Sequence, residues 1–164
     1  LIGGYGMGFT LRAALAALPA DARVTVAELV PEIIAWARGP MRALAAGCLD
    51  DSRVQLVMGD VADRIAAAPP TYDAILLDVD HSPRHQLDPT HADLYTPAGL
   101  TALDRHLRPE GVFALWSDDP PDDEFMRVLA TVFDDAAAHV VDFDNPLTAG
   151  VSSNTVYVGV SRTG

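Results

Sequence analysis

Apolar residues along this chain follow two habits: short unbroken runs, and longer stretches in which they recur every three or four positions. The unbroken runs lie at 24–29, 54–60, 72–78 and 112–117, each ending at or beside a polar or acidic residue. A run that does not alternate predicts a strand covered on both faces, and 72–78 shows this most clearly. Helical spacing predicts helices over 9–18, 31–37, 61–68, 96–107 and 122–133, with a further helical piece over 41–46 once Gly39-Pro40 has interrupted the second. The breakers Pro19, Pro69-Pro70 and Arg108-Pro109-Glu110-Gly111 mark turns between elements. Two β-rich segments, 139–143 and 155–160, close the chain; the stretch 145–154 between them contains Pro146 and Gly150 and has no helical period. They are predicted to pair as an antiparallel hairpin, because a parallel crossover would need a helix there. Counting the short apolar start at 1–3, the pattern predicts seven strands. The fold expected is α/β: a doubly wound, mostly parallel, Rossmann-like sheet with a C-terminal antiparallel hairpin, in one domain.

The polar residues at the strand ends carry the candidate chemistry. Residues 1–8 read Leu-Ile-Gly-Gly-Tyr-Gly-Met-Gly and run straight into the first helix. Glycines at 4, 6 and 8 permit a sharp reversal that exposes backbone N–H groups at the helix start, a cradle for a nucleotide-like ligand. A dinucleotide fingerprint begun at Gly4 would need a small residue at position 9, where Phe9 stands, so the spacing is G-x-G-x-G instead. Glu28 ends the second strand twenty residues beyond Gly8, where a carboxylate can accept both hydroxyls of a ribose. Asp60 ends the third strand; it suits an adenine amino group and also suits capping of the helix that follows. Asp78 ends the fourth, followed by Asp80 and His81, at the edge where such sheets place their chemistry. His81, His85 and His91 share a long loop without an H-x-x-x-H or C-x-x-C pair, so they are expected to be solvated rather than metal ligands. Trp36 and Met41 are expected to be packing residues.

Composition narrows the partners. The 164 residues hold a single cysteine, Cys48, which excludes an intrachain disulfide and suggests a small apolar filler. A net charge of −12 argues against a nucleic-acid backbone and allows a cationic small substrate. No apolar run approaches a membrane span and no basic leader opens the chain, so a cytoplasmic protein is expected. Leu1 already lies inside the presumed first strand, with two apolar residues before the glycines, so an upstream region is expected. The acids from Asp118 to Glu124 favour the positive end of the following helix, with a cation-attracting rim as the sharper alternative.

With these motifs at successive strand ends, the chain resembles the class I S-adenosylmethionine-dependent methyltransferase fold, and within it the spermidine synthase branch. The narrower likeness rests on Gly3-Gly4-Tyr5-Gly6-Met7-Gly8, Thr25-Val26-Ala27-Glu28, Arg53-Val54 through Gly59-Asp60, 72–78, and Leu94-Tyr95 leading into 107–111. The resemblance implies that Gly3, Gly4, Tyr5, Gly6, Gly8, Glu28, Leu29, Asp60, Val61 and Asp78 hold S-adenosylmethionine or its decarboxylated form. The products would be S-adenosylhomocysteine or methylthioadenosine. It implies alkyl (aminopropyl) transfer to an amine that Asp78 helps to deprotonate; Asp80 and His81, just beyond it in sequence, are candidates to orient the substrate and to serve as an alternative base. Three features depart from the branch: Gly6 stands where spermidine synthases carry an Asp that meets the aminopropyl amine, Asp78-Val79-Asp80-His81-Ser82-Pro83 replaces Asp-x-x-Asp-Pro, and the small N-terminal β domain is not in this sequence. Methyl transfer to a small molecule is therefore the alternative reaction, a non-catalytic adenosyl-binding protein the alternative class, and a nicotinamide enzyme a distant fourth. A small amine is the expected partner, with a homodimer left open, and neither nucleic acid nor membrane.

Overall fold

The computed structural model describes residues 1–67, 71–147 and 149–162. It is a seven-stranded mixed sheet in the order β3-β2-β1-β4-β5-β7-β6, where β1 is Ile2–Gly3, β2 Val24–Glu28, β3 Val54–Met58, β4 Tyr72–Leu77, β5 Leu107–Ser117, β6 Asp134–Asn145 and β7 Gly150–Val160. The helices are α1 (Phe9–Ala17), α2 (Pro31–Arg38), α3 (Val61–Ala66), α4 (Pro97–Asp104) and α5 (Asp123–Val132). The chain divides into two compact units, one of Leu1–Ala67 with Leu77–Val79, the other of Ala68–Leu76 with Asp80–Gly164. None of the described helices is long and apolar enough to cross a membrane.

The first unit holds the strand ends that matter for chemistry. β1 pairs parallel with β2, Ile2 opposite Val26, and β2 pairs parallel with β3 from Val24↔Val54 to Glu28↔Met58. Asp78 N–H donates to the Gly3 carbonyl at 2.9 Å, which draws the end of β4 alongside β1. Leu11, Leu15, Val26, Ile34, Val61 and Leu77 form its buried interior. Arg53 ties the start of β3 to the end of α1: its guanidinium holds Asp51 at 2.9 Å and donates to the Leu18 carbonyl at 3.1 Å.

In the second unit β7 lies between β5 and β6, antiparallel to both, and its pairing with β6 is the hairpin that the period-free stretch between them predicts. Phe113, Leu115, Leu129, Phe133 and Tyr157 make a core in which Phe113 and Phe133 stack with centroids 5.4 Å apart. Asp122 caps α5 by accepting from Glu124 and Phe125 N–H.

Several expectations need correction. Residues 41–46 are consecutive turns rather than a helix: backbone bonds spanning three residues, such as Leu44 N–H to Met41 carbonyl at 3.0 Å, mix with ones spanning five, such as Met41 N–H to Trp36 carbonyl at 2.8 Å, and the stretch ends with Ala46 and Gly47 at positive φ. Leu107 belongs to β5 rather than to the preceding helix, because His106 already gives its carbonyl to Tyr72 N–H at 2.7 Å. Trp36 is 49% exposed, not core. His91 is buried in a short 3-10 helix, Pro89–Tyr95, rather than solvated. The hairpin strands extend past 139–143 and 155–160, since cross-strand bonds carry polar residues such as Asp142 and Ser153 along with them. Pro69-Pro70 lies outside the described residues.

Candidate functional site

The glycine turn is built by backbone need. Gly4 sits at φ 85°, and a Cβ there would overlap the Asp78 carbonyl oxygen, so position 4 requires glycine twice over. Gly8, itself left-handed, returns its N–H to the Tyr5 carbonyl at 2.8 Å and stands at the cap of α1. Gly6 differs: its φ is 51°, yet a Cβ would meet nothing within 4 Å. The rim of the turn is open there. Tyr5 points inward, its hydroxyl 3.9 Å from Cys48 Sγ, and burial pushes that phenol up to about 12.

Glu28 is fixed beside this turn. It is buried, and its carboxylate accepts Tyr5 N–H at 2.9 Å on Oε2 and Val30 N–H at 2.8 Å on Oε1. A carboxylate offers about four lone-pair sites, so two accepting directions are left after these bonds. Asp60 accepts Ala62 N–H at 2.8 Å and so caps α3. Val61 is buried, its Cγ2 packed where a Gly3 Cβ would stand. Leu29, Val30 and Met58 are exposed at the ends of β2 and β3, as is Met7 in the turn. Apolar side chains left in water at strand tips suit the faces of a flat heterocycle.

Asp78, half-buried at the end of β4, accepts the Thr10 hydroxyl on Oδ2 at 3.0 Å. Burial raises its carboxyl above the ordinary range and the Thr10 bond works against that, with burial the larger effect. The first unit thus brings together the turn, Glu28 and Asp78 through direct bonds: Tyr5 to Glu28, Asp78 to Gly3, and Thr10 to Asp78.

Asp80 and His81 lie in the second unit and are engaged by their own surroundings. The Asp80 side chain is buried and accepts the Tyr95 hydroxyl at 2.5 Å, Leu87 N–H at 2.7 Å and a contact from His91 Nδ1 at 3.1 Å. Desolvation, reinforced by that carboxylate, holds the Tyr95 hydroxyl well above its usual range. His81 is exposed with Nδ1 3.3 Å from Asp118, and His85 Nδ1 is 2.8 Å from Asp119. Arg84 pairs with Asp122 at 2.5 Å and Glu124 at 3.1 Å. Much of the acidic stretch 118–124 is therefore engaged by His81, His85 and Arg84 and by the cap of α5.

Sequence reasoning missed Thr10, Val30 and Met58. Thr10 and Asp78 are 68 residues apart, and no local pattern announces such a pair. The link from Val30 N–H to Glu28 is local but leaves no signature in residue type.

The description of the spermine/spermidine synthase domain fits residues 1–144. The chain belongs to that family. A curated relative, the polyamine aminopropyltransferase of Mycobacterium tuberculosis, is 31% identical over 137 residues, covering 80% of this chain and 25% of that protein. This chain thus spans about a quarter of that relative's length. Among solved structures, a spermidine synthase in complex with the transition-state analogue AdoDATO superposes with a TM-score of 0.72 at 20% identity, covering 97% of this chain and 51% of the other. Human methyltransferase-like protein 13 in complex with SAH gives 0.69 at 22%, covering 96% and 69%. At these identities the structures establish the fold that spermidine synthases share with the methyltransferases.

Proposed function

We propose that this family member binds S-adenosylmethionine or its decarboxylated form on the first unit and transfers an alkyl group, aminopropyl in the leading reading, to a small amine. The observation that carries the reading is the bonded set of turn, Glu28 and Asp78, which fixes two carboxylates beside an open glycine rim. The fold's relatives that hold AdoDATO and SAH support an adenosyl ligand.

The residues present fit such a ligand. Glu28 keeps accepting capacity for ribose hydroxyls, Gly6 leaves space at the turn, and Leu29, Val30, Met58 and Met7 offer apolar surface. Asp60, Val61 and Gly3 would act through position and backbone at the start of α3 and the end of β1. When bound, a sulfonium donor supplies an electrophilic carbon next to a leaving sulfur. The protein's own work is alignment and proton removal. An alkylammonium, with a free pKa near ~10.4, must first lose a proton. In the proposed step Asp78 takes it: an N–H bond breaks, an O–H bond forms on the carboxylate, and the electron pair stays on nitrogen. A raised carboxyl is the better proton acceptor, which favours Asp78 for this role. Asp80, already accepting from Tyr95 and Leu87, is proposed to shape the loop after β4 rather than to take the proton.

Gly6 favours a second reading. Gly6 leaves open the place where spermidine synthases carry an Asp in the turn, and methyl transfer from S-adenosylmethionine becomes the rival. Mass spectrometry of the purified protein for a co-purifying adenosyl compound, followed by calorimetric competition between the two donors, separates these readings. Asp78→Asn is expected to lower turnover across an amine panel by about 10²–10⁴-fold with the fold intact. Unchanged turnover would remove Asp78 from the chemistry, and tight binding with no turnover at all would leave a binding protein.

A further inference from the structure

Among the polar contacts of the first unit, the bond between Thr10 and Asp78 is required by neither the turn nor the strand ends. Thr10 stands in the first turn of α1, directly after the glycine reversal, and its Oγ1 donates to Asp78 Oδ2 at 3.0 Å across 68 residues of sequence. A helix-start threonine has local uses for its hydroxyl, capping above all, yet Gly8 is the cap here and α1 has no side-chain cap bond. The hydroxyl is spent on the carboxylate instead.

We propose that Thr10 is the positioning residue for Asp78: by occupying Oδ2 it locks the carboxylate's orientation and leaves Oδ1 as the atom that receives the substrate proton. This rests on the reading of Asp78 as proton acceptor. The geometry has a chemical consequence. A hydroxyl that donates to a carboxylate stabilises the ionised form, opposing the burial that favours the neutral one. Besides Thr10, the groups at this end of the unit are the Glu28 carboxylate, held by Tyr5 and Val30 N–H, the Asp60 carboxylate on Ala62 N–H, and the Tyr5 phenol against Cys48. Burial raises the Asp78 carboxyl and the Thr10 bond opposes it. Thr10 thus keeps a half-buried base ionised at a lower pH than burial alone would allow. Its position between turn and base also couples the two: a shift of α1 moves the donor with it.

The test compares Thr10→Val, which keeps the shape and removes the donor, with Thr10→Ser, which keeps the donor. In the ligand-free protein, carbon-detected NMR of the side-chain carboxyl follows the titration of Asp78 directly, assigned by its loss in Asp78→Asn. Thr10→Val is expected to move the Asp78 midpoint upward and Thr10→Ser to leave it near the parent value. With an amine substrate, the acid limb of the kcat/KM profile is expected to move the same way in Thr10→Val. The loss is then confined to the low-pH side and smaller than that of Asp78→Asn. An Asp78 midpoint unmoved by Thr10→Val would overturn the inference whatever the activity. A moved midpoint with an unmoved acid limb, in an enzyme that Asp78→Asn disables, would also overturn it. Full activity in Asp78→Asn would instead sink the reading of Asp78 as the base, leaving the Thr10 coupling to be judged by the NMR titration alone. Thermal unfolding of each variant, read beside the titration, identifies any change that comes from misfolding.

Discussion

Asp78 brings a tension between stability and function down to one side chain. Its carboxyl is raised chiefly by burial, so the folded protein holds that proton more tightly than the unfolded chain does. The contribution is full below the unfolded value of 3.8 and is lost as pH rises through the folded value, because the native state must then bury a charge. Asp78→Asn carries no such charge and can still accept from Thr10. Its urea midpoint relative to the parent is therefore expected to climb between pH values below 3.8 and neutrality; parallel curves would show that the charge costs nothing. Glu28 behaves differently, since its carboxylate satisfies two backbone donors. Glu28→Ala strands the Tyr5 and Val30 N–H groups and is expected to cost about 1–3 kcal/mol, read as a lower denaturant midpoint at constant slope. Adenosyl affinity should fall in the same variant. A variant as stable as the parent would mean that water replaces the carboxylate at both donors.

At the scale of elements, strands were far more legible than the contacts that hold them. The run 72–78 reads as a buried strand because nothing interrupts its apolar character, and the hairpin reads from the missing helix between its arms. The turns over 41–46 were not legible: Arg12 donating to the Leu44 carbonyl at 2.8 Å and Arg42 pairing with Asp50 at 2.7 Å are side-chain ties across loops, invisible to a periodicity. The strand ends of the candidate site were visible as glycines and acids, whereas the donors that fix them, backbone of Tyr5 and Val30 and the Thr10 hydroxyl, depend on how the chain returns. Gly159 shows the same division. A glycine inside a strand signals that something approaches closely, but not what. Here it is Phe133, whose Cβ and Cγ lie 2.6 and 2.8 Å from where a Gly159 Cβ would stand, while Phe113 is the residue paired with Gly159 across β5 and β7. The missing side chain makes room for the ring that stacks on Phe113. Gly159→Ala is expected to destabilise by about 1–3 kcal/mol through overpacking. Phe133→Ala, which removes the Cγ and Cδ2 atoms that crowd this position, should therefore cost less in the Gly159→Ala chain than in the parent, and additive effects would show that the ring and the glycine do not share the space.

For the molecule as a whole, 23 acidic against 11 basic side chains set a net charge of −12, and that charge guards an exposed edge. β6 ends the sheet and pairs only with β7 among the described residues, so its outer backbone groups face away from any strand. Val140, Val141 and Phe143 are exposed along it, and because neighbouring residues point to opposite faces, the edge is apolar on both. Such an edge is a template for another strand unless charge discourages it. Asp135, Asp142 and Asp144 lie on this strand and supply that charge, while Asp134 pairs with Arg162 at 3.0 Å. An antiparallel copy centred on Val141 would set Asp142 opposite Val140 and Asp144 opposite Ala138, so no two acids face directly and the remaining repulsion is longer in range. Repulsion of that kind is screened by salt, over a Debye length of about 30 Å at 0.01 M and about 3 Å at 1 M. Sedimentation velocity is therefore expected to show association rising with salt across this range, and Val141→Lys, which adds a charge at the centre of the pairing, is expected to suppress it. Salt-independent sedimentation, or association untouched by the lysine, would place the contact elsewhere on the surface and leave the acids of β6 without this protective role.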